Sequence, residues 1–327
     1  MRIRVLNILT ALLAIFLLAA CGGKGRNQSS DTTGQHAGPR KFPELPNVPS
    51  VISEATQRYS YLADHFWDAF LDKAYPGDSS VVNGVPKDEV ESALGRYVTI
   101  LEQFCPRVPA TKSIESFFRK ISDFQTSNPS SDVFGFFEKM VPKYLYDPNS
   151  PVRDEDLYRP YALGLASSGL VSEDLRPAYS RDAEMCALNQ VGTPAADISF
   201  TTLKGKRTTL YSIKADHTLL FFSNPGCPAC EDVIERLTLS RKMKDLISSG
   251  SLAVVNLYID LEVDKWRALA GEYPSAWING VDQDYKIRQD LTYSVRAIPS
   301  LYVLDKDKVV VMKDAPVEKV IPYLENI

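Results

Sequence analysis

The sequence has few residues that bind metals and no cluster of one charge. It contains three histidines and five cysteines among 327 residues, and Cys227 and Cys230 are the one closely spaced cysteine pair. A structural zinc site needs four ligands, so no metal is expected. The 37 basic and 41 acidic residues nearly balance, without a basic block. Nucleic acid and anionic lipid surfaces are therefore not expected as ligands.

The sequence also lacks an apolar run long enough to cross a bilayer. Arg2 and Arg4 precede the apolar run 8–20, which is too short and predicts a signal peptide over residues 1–20. The small residues before Cys21 resemble the lipobox of bacterial lipoproteins, which implies cleavage before Cys21 and lipidation of its thiol. The alternative is an ordinary signal peptide with a chance cysteine.

Composition divides the rest of the chain into three parts. Residues 21–47 have few large apolar side chains and cannot offset the entropy of ordering, which predicts a flexible tether from Cys21. The remainder is long enough for two domains, a helical domain over 48–187 and an α/β domain over 188–327.

Helical spacing of apolar residues dominates the first domain. Three segments within 90–140 each carry one apolar stripe, which predicts an all-α domain. Aromatic residues are dense in this domain, and we interpret them as core rather than as a binding surface: Tyr59, Tyr61, Phe66, Trp67 and Phe70. No catalytic constellation stands out there.

Short apolar runs replace helical spacing after residue 192. The run 218–222 predicts a strand buried on both faces, and a helix and a second buried strand at 252–259 complete a β-α-β unit. The runs 301–304 and 309–312, joined by four charged residues, predict a hairpin, and a last helix is expected near 317–325.

The Cys227-Pro228-Ala229-Cys230 segment follows the first of these buried strands and opens the helix. Unpaired backbone N–H groups and the helix dipole favour a thiolate at Cys227. Cys227 is therefore expected to attack a substrate disulfide, and Cys230 to resolve the mixed disulfide. A structural disulfide and a thiol peroxidase site are the alternatives, although no threonine-bearing peroxidatic loop precedes Cys227.

Residues 191–327 resemble the thioredoxin-like, membrane-tethered periplasmic thiol-disulfide oxidoreductases of the TlpA type. The segment 191–198 is similar to the first strand of that family, and Lys204-Gly205-Lys206 to the turn of its N-terminal hairpin extension. The resemblance implies a thioredoxin fold, in which helices flank a central mixed sheet.

The stretch from Arg296 to Tyr302 matches the part of the family that carries a cis-proline facing the dithiol. By this resemblance Pro299 shapes the site, and the Ile298 backbone pairs with an extended substrate, with Pro228 and Ala229 as further substrate contacts. No organic cofactor is implied beyond the redox-active Cys227–Cys230 pair.

The sequence departs from the family pattern at two places. Gly226 stands where many relatives have an aromatic residue, and Phe221 stands where thioredoxin buries an acid. The acids that follow the dithiol are expected to be solvated, so no proton shuttle is assigned and the direction of electron flow stays open.

Cys105 and Cys186 complete the set of cysteines. In an oxidising compartment they either form a structural disulfide or remain two buried thiols.

Two hypotheses follow. The first is an enzyme anchored at Cys21 in the cell envelope, in the outer membrane and facing the periplasm, which reduces or isomerises disulfides of exported proteins. A membrane redox partner would be its electron donor. The second is a binding lipoprotein that uses a thioredoxin-like scaffold without turnover.

Overall fold

The computed structural model describes residues 39–327, and the predicted signal peptide, Cys21 and the first part of the predicted tether lie outside them. Residues Pro39–Ile327 form a single unit of contacts. Within this described part of the chain, none of the helices has both the length and the apolar character needed to cross a membrane.

Six helices make up most of the first half, and the apolar stripes of the second, third and fourth face its core. They are α1 Ala55–His65, α2 Lys87–Gln103, α3 Arg107–Ser127, α4 Val133–Leu145, α5 Glu155–Ser167 and α6 Arg176–Cys186.

The first half also contains a small hairpin, so the prediction of an all-α domain needs a correction. Strands β1 Val81–Val82 and β2 Val85–Pro86 pair antiparallel. Asn83 and Gly84 between them have φ of 47° and 78°. Positive φ at both central residues is what a two-residue hairpin turn requires, and Asn-Gly favours it.

The predicted tether does not reach residue 47, because its last part is attached to the helical half. The Arg40 backbone N–H donates to the Gly84 carbonyl at 2.8 Å, and its guanidinium donates to the Phe70 carbonyl at 2.8 Å. The Phe42 ring stacks on the Phe70 ring with centroids 5.6 Å apart. An apolar ring and a cation therefore fix a segment whose composition predicts flexibility.

Aromatic side chains fill the core of the helical half. The Trp67 ring stacks on Phe117 and meets Phe137 edge-on, each at 5.0 Å between centroids. Phe66, Trp67 and Phe70 are buried, as the core interpretation predicts, whereas Tyr59 and Tyr61 are half-buried.

A seven-stranded mixed sheet forms the second half, in the order β4-β3-β7-β6-β5-β8-β9. Strands β5, β6 and β7 are parallel and the other pairs antiparallel. The strands are β3 Ser199–Thr202, β4 Arg207–Thr209, β5 His217–Phe222, β6 Leu252–Tyr258, β7 Ile278–Val281, β8 Ser300–Asp305 and β9 Val310–Met312. The helices are α7 Pro228–Leu239, α8 Arg241–Ser249, α9 Val263–Leu269, α10 Lys286–Gln289 and α11 Val317–Glu325.

The expectation of a first strand at 191–198 is wrong. This segment forms no strand and makes an isolated bridge between Pro194 and Val309, with backbone hydrogen bonds to residues 308–310 on either side of it, and the first strand begins at Ser199. Pro194 has no N–H to donate to a ladder, which limits strand pairing there. The Lys204-Gly205-Lys206 turn does join β3 to β4, with Gly205 at φ 77°.

Strand β5 separates two apolar cores. Leu219 and Phe221 belong to the core that contains Cys230, while Leu220 and Phe222 belong to the core on the opposite face. Because successive side chains of a strand point to opposite faces, the continuous apolar run is buried on both sides. Burial on both faces holds β5 in place, and the cysteine pair follows shortly after its last residue.

Candidate redox site

Cys227 caps the N-terminus of α7. Its backbone is extended, with φ −90° and ψ 112°, and its Sγ accepts a hydrogen bond from the Cys230 backbone N–H at 3.4 Å. Pro228 takes the first helical position, where its missing N–H costs nothing. Gly226 has φ +71°, so the turn into the helix uses a conformation that glycine adopts readily.

The two sulfur atoms of the pair are adjacent but differently exposed. The Cys230 thiol donates to the Cys227 Sγ at 2.8 Å, and both cysteines are free. Cys230 is buried and Cys227 half-buried. Burial raises the pKa of Cys230, its hydrogen bond to Cys227 raises it further, and the Asn224 backbone N–H opposes the shift. Cys230 is therefore held as a neutral thiol, and Cys227 is the more accessible sulfur.

Ile298 lies beside the same apolar core as Cys227. Both residues are half-buried and pack against the cluster that contains Cys230. The Ile298–Pro299 peptide bond is cis, as the resemblance implies. Among the described residues, the Ile298 backbone has no backbone hydrogen-bond partner. The site thus has an unpaired backbone segment that an extended peptide could join.

The remaining predicted substrate contacts, Pro228 and Ala229, are exposed in the first turn of α7. Their exposure beside half-buried Cys227 leaves this face of the site open to a large partner. The roles of these residues in binding stay predictions.

Among the described residues, an apolar ring rather than an acid lies on the buried side of the pair. Phe221 is fully buried in the Cys230 core, and Glu231, Asp232 and Glu235 are exposed as expected. A chain of neutral polar groups lies nearby instead. The Ser223 hydroxyl donates to Asn256 Oδ1, and Asn256 Nδ2 donates to Asn279 Oδ1 at 3.0 Å.

Tyr273 is a residue near the site that the sequence did not reveal. Burial and the nearby sulfurs of Cys230 and Cys227 raise the pKa of its phenol to about 12, although Ser223 opposes the shift. The phenol is therefore neutral at physiological pH, and among the described residues its hydroxyl has no hydrogen-bond partner. Tyr273 follows α9 outside any motif, and no spacing rule connects it to the dithiol.

A polar bridge joins the loop before Cys227 to the segment before Ile298. Asp260 accepts from the Asn224 side-chain amide at 2.8 Å and from Arg288 Nε at 2.6 Å. Arg288 also donates to the Val295 carbonyl at 3.2 Å. These contacts hold the two sides of the site relative to each other from within the second half of the chain.

Cys105 and Cys186 are both free in the structure, and only Cys186 is a fully buried thiol. Cys105 is half-buried near Ser60 and Asp64, whereas Cys186 is buried near Glu155 and the second half of the chain. Their neighbours differ, which explains why no disulfide joins them.

Comparison with known proteins supplies a family for the helical half. A family model described as a domain of unknown function, DUF5106, matches residues 20–187. No protein with a curated description matches the chain.

Solved structures match both halves. A thioredoxin-like protein from Bacteroides caccae is 33% identical with a TM-score of 0.73, and the match covers 87% of this chain and 98% of that one. The C-terminal domain of an uncharacterised Bacteroides fragilis protein is 40% identical over 42% of this chain and 97% of its own, with a TM-score of 0.40. The thioredoxin domain of a Bacteroides vulgatus thiol-disulfide oxidoreductase is 20% identical, covers 41% and 98%, and has a TM-score of 0.36.

Proposed function

The chain belongs to the DUF5106 family and is a thioredoxin-like protein, and on this premise we propose that it is a thiol-disulfide oxidoreductase acting through Cys227 and Cys230. The observation that carries the proposal is the pair of free sulfurs 2.8 Å apart at the N-terminus of α7, one half-buried and one buried.

The unequal environments of the two sulfurs support unequal roles. The Cys227 thiolate attacks one sulfur of a substrate disulfide, whose S–S bond breaks and whose second sulfur leaves as a thiolate that takes up a proton. The Cys230 thiol then loses its proton and attacks the Cys227 Sγ. This step forms the Cys227–Cys230 disulfide and releases the reduced substrate, so two electrons pass to the substrate.

Ile298 and Pro299 supply the substrate side of the proposal. The unpaired Ile298 backbone would hydrogen-bond an extended segment of the substrate, which aligns its disulfide with Cys227. Exposed Pro228 and Ala229 would contact the same segment. Exported proteins with disulfides are the proposed substrates, and a membrane redox partner would return electrons to the oxidised pair.

The proposed location is the cell envelope, with a lipid anchor at Cys21 facing the periplasm from the outer membrane. This part of the proposal rests on the sequence alone, because Cys21 lies outside the described residues. Fatty-acid labelling of the wild type that is lost in Cys21→Ser supports the anchor, and labelling that persists in the variant contradicts it.

The reduction potential of the pair tests the proposal. Equilibrating the purified full chain against glutathione or dithiothreitol buffers should give a reversible two-electron couple. A potential near that of thioredoxin, about −270 mV, supports a reductase, and one near −120 mV an oxidant. Absence of any couple would leave the scaffold hypothesis.

Trapping of the mixed disulfide separates turnover from simple binding. Cys230→Ser should accumulate covalent adducts with substrate proteins, because the buried resolving thiol is gone. Cys105→Ser, which removes a half-buried thiol in the other half, is the matched control and should accumulate none. Equal adduct formation in both variants would contradict the assigned roles.

A further inference from the structure

The two halves of the chain meet at six buried or nearly buried charged side chains. We call them the interdomain ion cluster: Arg153, Glu155 and Asp156 from the helical half, and Arg296, Lys313 and Asp314 from the thioredoxin-like half. Three positive and three negative charges balance. Because buried ion pairs stabilise a fold little compared with apolar packing, the cluster is better explained by what it positions.

Arg296 begins the segment 296–300, which contains the Ile298–Pro299 bond and ends at the first residue of β8; we call this segment the proline loop. Its Nε donates to Glu155 Oε1 at 2.8 Å, and its Nη1 donates to the Tyr146 carbonyl. The guanidinium carbon lies 3.9 Å from the centre of the Tyr146 ring. Burial would lower the pKa of Arg296, but Glu155 and Asp314 outweigh it and raise the pKa. The helical half thus holds a charged Arg296.

Ser300 ends the same loop and is held through Asp314. The Ser300 hydroxyl donates to Asp314 Oδ1 at 2.6 Å. The Asp314 carboxylate also lies 3.4 Å from Arg296 Nη2, and its backbone carbonyl accepts from Arg153 Nε at 2.7 Å. Both ends of the proline loop therefore contact the Asp314 carboxylate. Arg153 of the helical half in turn binds the Asp314 backbone.

Glu155 connects these contacts to a rigid element. It is the first residue of α5, its side chain is 1% exposed, and its Oε2 lies 2.9 Å from Lys313 Nζ. Lys313 also donates to the carbonyl of Cys186, the last residue of α6, at 2.7 Å. A side chain on a helix, enclosed by two cations, is the kind of support that holds a site in one geometry.

We propose that the helical half positions the proline loop for substrate, with Glu155 as the positioning residue. The inference rests on the proposed oxidoreductase function and assigns a role to the DUF5106 domain. Ile298 lies between the two held ends of the loop, where its backbone would pair with the substrate. A displacement of roughly 1 Å in such a positioning segment can cost about 100-fold in rate.

The positioning role predicts an effect on large substrates alone. The cluster contacts the loop but not the cysteine pair, so it should affect substrate binding and leave the sulfur chemistry unchanged. In the full chain, Glu155→Gln should raise the KM for reduction of insulin roughly 10-fold, the equivalent of about 1.4 kcal/mol. The rate with the small disulfide 5,5′-dithiobis(2-nitrobenzoate) and the potential of the pair should match the wild type.

The control is another ion pair between the halves. Lys319 of α11 pairs with Glu102 of α2 and does not contact the proline loop. Lys319→Gln should therefore keep the wild-type KM for insulin. An equal rise in KM for Lys319→Gln would show general loosening of the interface and overturn the positioning role.

A conservative variant covers the case in which Glu155→Gln does not fold. Arg296→Lys keeps the positive charge but loses the planar fork, and should give a smaller rise in KM with an unchanged potential. A wild type without a reversible couple overturns the proposed function and this inference with it. An active wild type whose KM is unchanged in both variants overturns this inference alone.

Discussion

The two halves of the molecule bury their apolar side chains in different ways. Among the described residues, the helical half has one core built around stacked rings such as Trp67 and Phe117, while the other half has a core on each face of the sheet and a smaller cluster around Trp266. Cys227 lies at the edge of one of these cores, where a reactive group is both supported and accessible. Cys105 packs against the helical core in a similar way, but no second cysteine lies near it in the sequence. The helical half therefore contributes through its surface, at the interdomain ion cluster.

The largest expected effect tests the single aromatic core. Trp67→Ala removes a ring in contact with Phe117 and Phe137 and should lower the free energy of unfolding by about 3–5 kcal/mol. Urea unfolding followed by circular dichroism measures the loss. Phe104→Ala, at a side chain that is 42% exposed, is the control and should cost less than about 1 kcal/mol. Similar losses in the two variants would contradict a core centred on Trp67.

A smaller effect compares one glycine from each half. Gly84 has φ +78° and a Cβ there would lie 2.9 Å from the Tyr75 Cβ, whereas Gly226 has φ +71° and open space around it. Gly226→Ala should cost about 1–2 kcal/mol from backbone strain alone. Gly84→Ala should cost roughly 1–3 kcal/mol more through overpacking. Equal losses of stability for the two variants in thermal unfolding would show that the β1–β2 hairpin shifts to accommodate the added methyl group.

The pH dependence of stability gives the smallest effect and concerns the interface of the two halves. Burial raises the pKa of Asp314, although Arg153 opposes the shift. A carboxyl whose folded pKa exceeds its unfolded value, about 3.9, stabilises most below that value and loses this contribution as pH rises through the folded pKa. Asp314→Asn should therefore make the slope of unfolding free energy above about pH 4 less negative than in the wild type.

Asp68 in the helical half is the control for this slope. Burial opposes the shift, but hydrogen bonds from Lys120 and His65 lower the pKa of Asp68. Its contribution is present above the unfolded pKa and is lost as pH falls, so Asp68→Asn should change the slope in the opposite sense. If both substitutions change the slope of unfolding free energy against pH in the same sense, the opposite pKa shifts of Asp314 and Asp68 are contradicted.

Elements with a strong period were predictable from the sequence. Helices α2, α3 and α4, the unit of β5, α7 and β6, and the β8–β9 hairpin all lie where their apolar patterns place them. Strand β7 was missed because its four residues include an asparagine and a glycine and show no alternation. The β1–β2 hairpin was missed although Asn83-Gly84 is a strong turn signal, because its strands have only two residues each.

The site divides in the same way. Cys227, Cys230 and Pro299 lie in local motifs and could be proposed as candidate site residues from the sequence. The pairing of Glu155 with Arg296 could not, because the two residues are 141 positions apart and an ion pair has no periodic pattern. Arg40 and Phe42 illustrate the same point, since composition predicts a tether and only the folded surface provides their partners.

The hydrogen-bonded side chains of Ser223, Asn256 and Asn279 also affect the register in which β5, β6 and β7 pair. Asn256 interrupts the apolar run of β6 and is satisfied only when β5, β6 and β7 are in their native register. A slip of one residue would turn the Asn256 amide to the other face and leave a buried polar group without a partner, at a cost of roughly 1–3 kcal/mol. These amides therefore select against misaligned sheets, and so help set where β5 ends and the cysteine pair begins.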